Sequence, residues 1–241
     1  MVQVMKRIIK MAEKTYEFYL EPSFFIDSEH PVIKDFVKKN LSMEMSEKEK
    51  AIALFYTVRD QVFYNPYEID FTHKGMKASS IIKKGKGYCV AKAVALCAVL
   101  RAAKIPSRLG LADVKNHLTT KRLREIMGTD IFYYHGYTEI YLNGNWIKAT
   151  PTFNKELCEK FKVKPLDFDG EKDSLFHEFD DKGRKHMSYI KDFGHYDELP
   201  FDEILRRSID VYKNIFTKFN KTVSGDFGKE AEEDFKGGLK K

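Results

Sequence analysis

Gly87-Tyr88-Cys89-Val90-Ala91-Lys92-Ala93-Val94-Ala95-Leu96-Cys97-Ala98-Val99-Leu100-Arg101-Ala102-Ala103 is the stretch that decides the fold. A glycine turn leads into a cysteine, and the cysteine stands where an alanine-rich apolar helix begins. A helix N-terminus carries a partial positive charge and unpaired N–H groups. Both favour thiolate over thiol, and the same N–H groups can hold a developing oxyanion. Ala93, Cys97 and Leu100 share one face, with Val90, Val94 and Leu96 beside them. The alanines at 91, 93, 95 and 98 let neighbouring backbone come close. The pattern predicts a central helix packed on a sheet and ended by Ile105-Pro106.

Outward from that helix, the chain reads as strands downstream and helices upstream. Ser107 to Val114 is a strand. Thr119 or Thr120 caps a short helix from Lys121 to Met127, which Gly128 stops. Ile131 to Leu142 is the strongest β signal, and Asn143-Gly144 after it is the pair a type I′ hairpin prefers. Asn145 to Phe153 is the return strand. The turn pairs Leu142 with Asn145, so paired numbers sum to 142 + 145 = 287. His135 then faces Thr152, with Thr150 diagonal on the same side.

Upstream, Ser46 to Glu49 is a capping box that opens a helix bearing Ile52, Phe55, Val58 and Val62, ended by Asn65-Pro66. Ala78 to Ile82 is a short helix stopped by Gly85. Further on, Asn154 caps a short helix through Phe161. A second hairpin pairs Ser174–Phe179 with Lys185–Ile190 through Asp181-Lys182-Gly183. Pro200 opens an amphipathic helix carrying Ile204, Leu205, Ile209, Tyr212, Ile215, Phe216 and Phe219. The resulting organisation is an N-terminal extension (1–45), one main domain (46–222) and a flexible charged tail (223–241).

Composition sets the outer limits. The 241 residues are 43% hydrophobic, enough for a real core in one large domain. A mean hydropathy of -0.47 and the lack of an apolar run near the ~20 residues that span a bilayer predict a soluble chain with no membrane partner. The opening MVQVMKRIIKMAEK has neither a long apolar stretch nor a cleavage site, so no signal peptide is read. The three cysteines include no Cys-x-x-Cys pair, which fits a reducing cytoplasm. The net charge of +6 comes from lysines interleaved with acids along the whole chain, a solvated surface rather than a nucleic-acid footprint. No cofactor is implied. His177 and His186 could face each other across the second hairpin, but two histidines without a placed third ligand do not make a metal site.

The residues now in place resemble a known family. Gly87-Tyr88-Cys89, Leu100-Arg101-Ala102 and Ile105-Pro106-Ser107-Arg108 resemble the Gly-x-Cys…Leu-Arg-Ala-x-Gly-Ile-Pro-Ala-Arg signature of the transglutaminase-like superfamily. His135-Gly136-Tyr137-Thr138-Glu139-Ile140-Tyr141, then Trp146 to Thr152, resembles its His-Ala-Trp-Val-Glu-Val…Trp-Val-x-x-Asp-Pro-Thr segment. The two motifs cover roughly residues 50–155, in the right order. Leu111–Leu118 and Phe168-Asp169-Gly170 are similar to segments of uncharacterised bacterial and archaeal transglutaminase family proteins. The resemblance implies an α+β, papain-like fold: N-terminal helices, the cysteine at a helix start, and an antiparallel sheet carrying the histidine.

It also implies a cysteine-dependent acyl-transfer enzyme, with Cys89 as nucleophile and His135 as base. The family places an Asp where this chain has Thr150. A hydroxyl can orient an imidazole but cannot supply the charge that stabilises imidazolium. Thr152, Asn154, Asn116 and Tyr137 are possible supports. Asn154 has the competing role of a helix N-cap, and Tyr133, Tyr134, Tyr137 and Tyr141 could wall a cleft or simply pack. Cys97 reads as core and Cys158 as inert in an exposed helix. The substrate would be a peptide, a protein or a small amide or ester, with water or an amine as second acceptor. The rival is a non-catalytic module that binds a peptide or protein partner in the same cleft. A third reading, a basic surface docking on nucleic acid or anionic lipid, has less behind it.

Overall fold

The computed structural model describes residues 16–117, 119–176, 187–212 and 225–236. Helices come first. After a 3₁₀ turn at Phe18–Leu20 come α1 (Pro31–Asn40), α2 (Glu47–Gln61) and α3 (Ala78–Lys84). The Ser46–Glu49 capping box forms as the sequence predicts, and Gly85 stops α3 in the left-handed conformation. Two short strands, β1 (Phe63–Tyr64) and β2 (Lys86–Gly87), pair in parallel just before α4 (Cys89–Ala102). Residues Cys89 to Arg101 of α4 are all buried. Each valine and leucine among them gains about 2 kcal/mol from burial, which makes α4 the axis of the core.

Lys92 lies inside this helix and is fully buried. Its ammonium donates to the carbonyls of Arg59, at 2.8 Å, and Val62. These are unpaired carbonyls at the end of α2, so a lysine of one helix caps its neighbour. Burial pulls its pKa down to about 7.

The four-stranded sheet runs β5-β4-β3-β6, with β3 (Ser107–Asn116), β4 (Ile131–Leu142), β5 (Asn145–Ala149) and β6 (Met187–Tyr196). All its pairings are antiparallel. α5 (Lys121–Met127), capped by Thr120 and stopped by Gly128, bridges β3 to β4. α6 (Lys155–Phe161), α7 (Phe201–Val211) and α8 (Phe227–Phe235) complete the fold. One face of the sheet packs on α4, where the Thr138 hydroxyl donates to the Ala93 carbonyl at 3.1 Å. The other face carries Ala112, Val114 and Tyr137 into a second apolar cluster with Phe153, Phe161 and Phe176. Among the described residues, no helix is long and apolar enough to cross a membrane.

Four expectations change. β6 pairs with β3, and Ser174 forms a parallel bridge with Ala149 instead of pairing with Lys185–Ile190. The predicted turn, with His177 and His186, lies outside the described residues. Pro200 takes the N-cap position, not the first helical one. Cys158 is buried rather than exposed, its sulfur beside the Phe153 carbonyl. The stretch read as a flexible tail contains α8, capped by Asp226 onto Lys229 N–H at 3.0 Å. Phe227, Ala231 and Phe235 stand four residues apart and bury one stripe, with Phe235 5.0 Å from the Phe161 ring.

Candidate active site around Cys89 and His135

Cys89 is the first residue of α4, after Tyr88 in extended conformation at the N-cap. Its sulfur lies in reach of three backbone N–H groups: those of Gly136, Val90 and Cys89 itself. Two belong to the helix start and one to β4. Burial nevertheless dominates, and the thiol is pushed up to about 11. Three dipoles favour the thiolate, but no opposite charge joins them, and a thiolate 5% exposed loses most of its hydration. The expected low pKa is therefore overturned: the helix start pulls the right way and desolvation wins.

Gly136 reaches the sulfur because β5 stops short. The predicted ladder holds from Leu142↔Asn145 to Thr138↔Ala149 and ends there. The next rung on that side would put Pro151 opposite Gly136, and proline has no N–H to give. On the outer edge of β5 the Thr150 N–H donates to the Ser174 carbonyl at 3.0 Å. The approach is close: a Cβ on Gly136 would stand 2.7 Å from Val90 Cα. The predicted pairing of His135 with Thr152 does not form.

A bulge precedes the histidine. Val114 pairs with Phe132 but Ala112 with His135, so β4 carries one extra residue. Tyr134 takes a left-handed φ of 54°, and its N–H is met by the Asp113 carboxylate at 3.0 Å. Bulges re-aim side chains in this way. His135 is buried, its ring 6.0 Å from that of Phe176. Burial lowers its pKa to about 4, which favours the uncharged imidazole, and His135 is not among the residues that line the cleft holding Cys89.

Among the described residues, His135 Nε2, Thr150 Oγ1 and Thr152 Oγ1 are all buried without a hydrogen-bond partner, as is Ser174 Oγ. An unpartnered buried polar group costs about 1–3 kcal/mol, and the Ser28 and Thr119 hydroxyls outside the site are buried in the same way. Tyr189, on β6, brings its hydroxyl end beside Thr150 and the Phe176 backbone. The other candidates are structural. The Asn154 side chain does not cap α6: its Oδ1 accepts from Tyr64 N–H at 3.2 Å and ties the loop to β1. Tyr137 lies over Gly110 and donates to Asp192 at 2.8 Å, bracing β4 to β6. Asn116 ends β3 four residues beyond Ala112, about 13 Å along the strand from the His135 pairing. Asn116 and His117 do not line the cleft at Cys89.

That cleft has a volume of about 60 Å³, and none of its lining residues is charged. Tyr64, Tyr88 and Tyr212 ring the sulfur. Burial raises all three phenols, and the facing Cys89 raises them further. Of the four tyrosines on β4, only Tyr133 lines it. Tyr134 donates to Glu203, and Tyr141 packs on Trp146. Sequence reasoning missed the Gly136 N–H, Tyr189 and Tyr212. Pro151 was the legible sign of the first. The other two required knowing which strand and helix close over the site.

Residues 34–151 match the model of the transglutaminase-like superfamily, a span that contains Cys89, His135 and Thr150 and stops before Thr152 and Asn154. No curated protein matches the chain. Among solved structures, a candidate cysteine protease from Cytophaga hutchinsonii is similar at 23% identity and a TM-score of 0.42, over 56% of this chain. The match covers 40% of that longer protein. Both motifs lie inside the matched span, so the likeness to the transglutaminase-like superfamily extends over residues 34–151, just under half of the chain.

Proposed function

We propose that this protein catalyses cysteine-dependent acyl transfer. One observation carries the reading: the Cys89 sulfur sits among the N–H groups of Cys89, Val90 and Gly136, and Gly136 directly follows His135. His135 accepts the thiol proton as the sulfur attacks an amide or ester carbonyl. The C–S bond forms, and negative charge collects on the carbonyl oxygen beside those N–H groups. The C–N or C–O bond then breaks, and His135 returns the proton to the departing amine or alcohol. Thr150 stands at the family's acid position as a neutral hydroxyl, and neither it nor Thr152 hydrogen-bonds the imidazole in the resting structure. Water as second acceptor gives an amidase or peptidase, and an amine gives a transferase.

Because His135 is neutral, the pair works as thiol and general base rather than as a standing ion pair. The test is a burst assay with p-nitrophenyl acetate. One equivalent of p-nitrophenol per chain, lost in Cys89→Ala and strongly slowed in His135→Ala, is the expected result. A burst that survives Cys89→Ala refutes the assignment. A faster second phase on adding a primary amine identifies a transferase.

A second reading draws on the burial of both groups and on Thr150 at the acid position: a module that holds a peptide and does no chemistry. It predicts no burst at all.

A further inference from the structure

The edge of β4 beside Cys89 has backbone groups that no neighbouring strand pairs. Along a strand, alternate residues turn their N–H and C=O to opposite sides. Asn116 N–H donates to the Asp130 carbonyl at 3.0 Å, and Tyr141 N–H to the Pro106 carbonyl at 2.9 Å. Before the bulge, Asp130 and Phe132 therefore face β3. After it, His135, Tyr137 and Glu139 do. Ile131, Tyr133 and Gly136 are left facing away from β3, where β5 reaches only as far as Thr138.

Gly136 turns its N–H to Cys89. The Ile131 N–H donates to Thr129 Oγ1 at 3.1 Å, while the Ile131 carbonyl and the Tyr133 N–H turn to one side chain. The Tyr212 hydroxyl accepts from Tyr133 N–H at 2.8 Å and donates to the Ile131 carbonyl at 3.3 Å. A carbonyl and an N–H two residues apart on one edge are what a single residue of an added strand would satisfy. A phenol thus holds the place of a backbone. The same Tyr212 is buried and lines the cleft at Cys89.

We propose that the β4 edge from Ile131 to Gly136 is a docking edge for an extended polypeptide, which displaces the Tyr212 hydroxyl and carries its chain past Cys89. The proposal rests on Cys89 being the acyl acceptor and gives that reaction a substrate class: a peptide chain rather than a small amide or ester. Tyr133 and Gly136 are three residues apart, about 10 Å of strand. The docked residues therefore lie about three positions from the carbonyl at Cys89. Ile69, Phe71, Leu123, Met127, Phe132 and Ile204 line the cleft, so the side chains next to that carbonyl are apolar. At about 60 Å³ the closed cleft holds no large side chain, and withdrawal of the Tyr212 ring supplies the space.

The experiment uses the full chain carrying Cys89→Ala, so that docking is read without chemistry. The probe is an end-capped, fluorescein-labelled Ala-Phe-Ala-Phe-Ala peptide, followed by anisotropy. Two further versions are N-methylated on one or the other alternate set of amides. Binding is expected to survive one methylation pattern and fail with the other. Adding Tyr212→Phe should tighten it about tenfold, the worth of one hydrogen bond no longer displaced. Equal effects of the two methylation patterns, or unchanged or weaker binding to Tyr212→Phe chains that melt normally, overturn the proposal. Docking to Cys89→Ala with no acyl burst in the native chain would remove the chemistry and keep the edge. A burst without docking would do the reverse.

Discussion

Lowering the pH should destabilise this protein through His135 in a way that one substitution removes. The folded protein holds the imidazole near pKa 4 by burial, whereas an unfolded histidine titrates at about 6.5. Between those values the unfolded chain binds the extra proton, so stability falls as pH falls. The contribution is fully present above about pH 7 and lost as pH drops toward 4. The linkage relation gives a loss of about 2 kcal/mol between pH 7 and 5, and about 3 kcal/mol by the acid limit. Urea unfolding at the two pH values measures it, with Trp146, the chain's only tryptophan, as the fluorescent probe. His135→Gln cannot charge and should lack about 2 kcal/mol of the acid loss. Carboxylates contribute to both proteins alike and cancel in the difference. Equal acid losses in the two proteins would refute the reasoning. A native chain more resistant to acid than the variant would show an imidazolium paired with thiolate, an ion pair in place of the neutral couple.

Other substitutions probe the same frame. Gly136→Ala forces a methyl against the Val90 backbone and should cost about 1–3 kcal/mol, seen as a melting point lower by several degrees, with slower acylation of Cys89. Lys92→Met leaves the Arg59 and Val62 carbonyls without their donor, and an unfolding free energy lower by about 1–3 kcal/mol, from urea titration at pH 6, is expected. Thr150→Asp puts a carboxylate at the position the superfamily reserves for an acid. It should raise the imidazole pKa and flatten the acid loss between pH 7 and 5, and an unchanged loss would show that residue 150 does not contact the ring.

Much of the fold is written locally. The Ser46 capping box, the left-handed glycines at 85 and 128, and the Asn143-Gly144 turn are short-range chemistry, and each element they bound forms where the sequence places it. The start of α4 at Cys89 and the 287 register from Leu142 to Thr138 are legible for the same reason, since turn type fixes pairing. α8 was legible too: Phe227, Ala231 and Phe235 keep helical spacing amid charges that drew attention to solvent. What the sequence could not decide is how far a strand pairs and what a group loses on burial. Ser174, distant in sequence, takes the Thr150 N–H on the outer edge of β5, where nothing local marks a partner. Tyr212 reaches the β4 edge only because α7 packs across the cleft. The sequence determined that a cysteine would open a helix, among that helix's own N–H dipoles, and that a histidine-bearing strand would follow. Only the tertiary structure decided their protonation, because desolvation is set by everything packed around a charge and local dipoles cannot outweigh it.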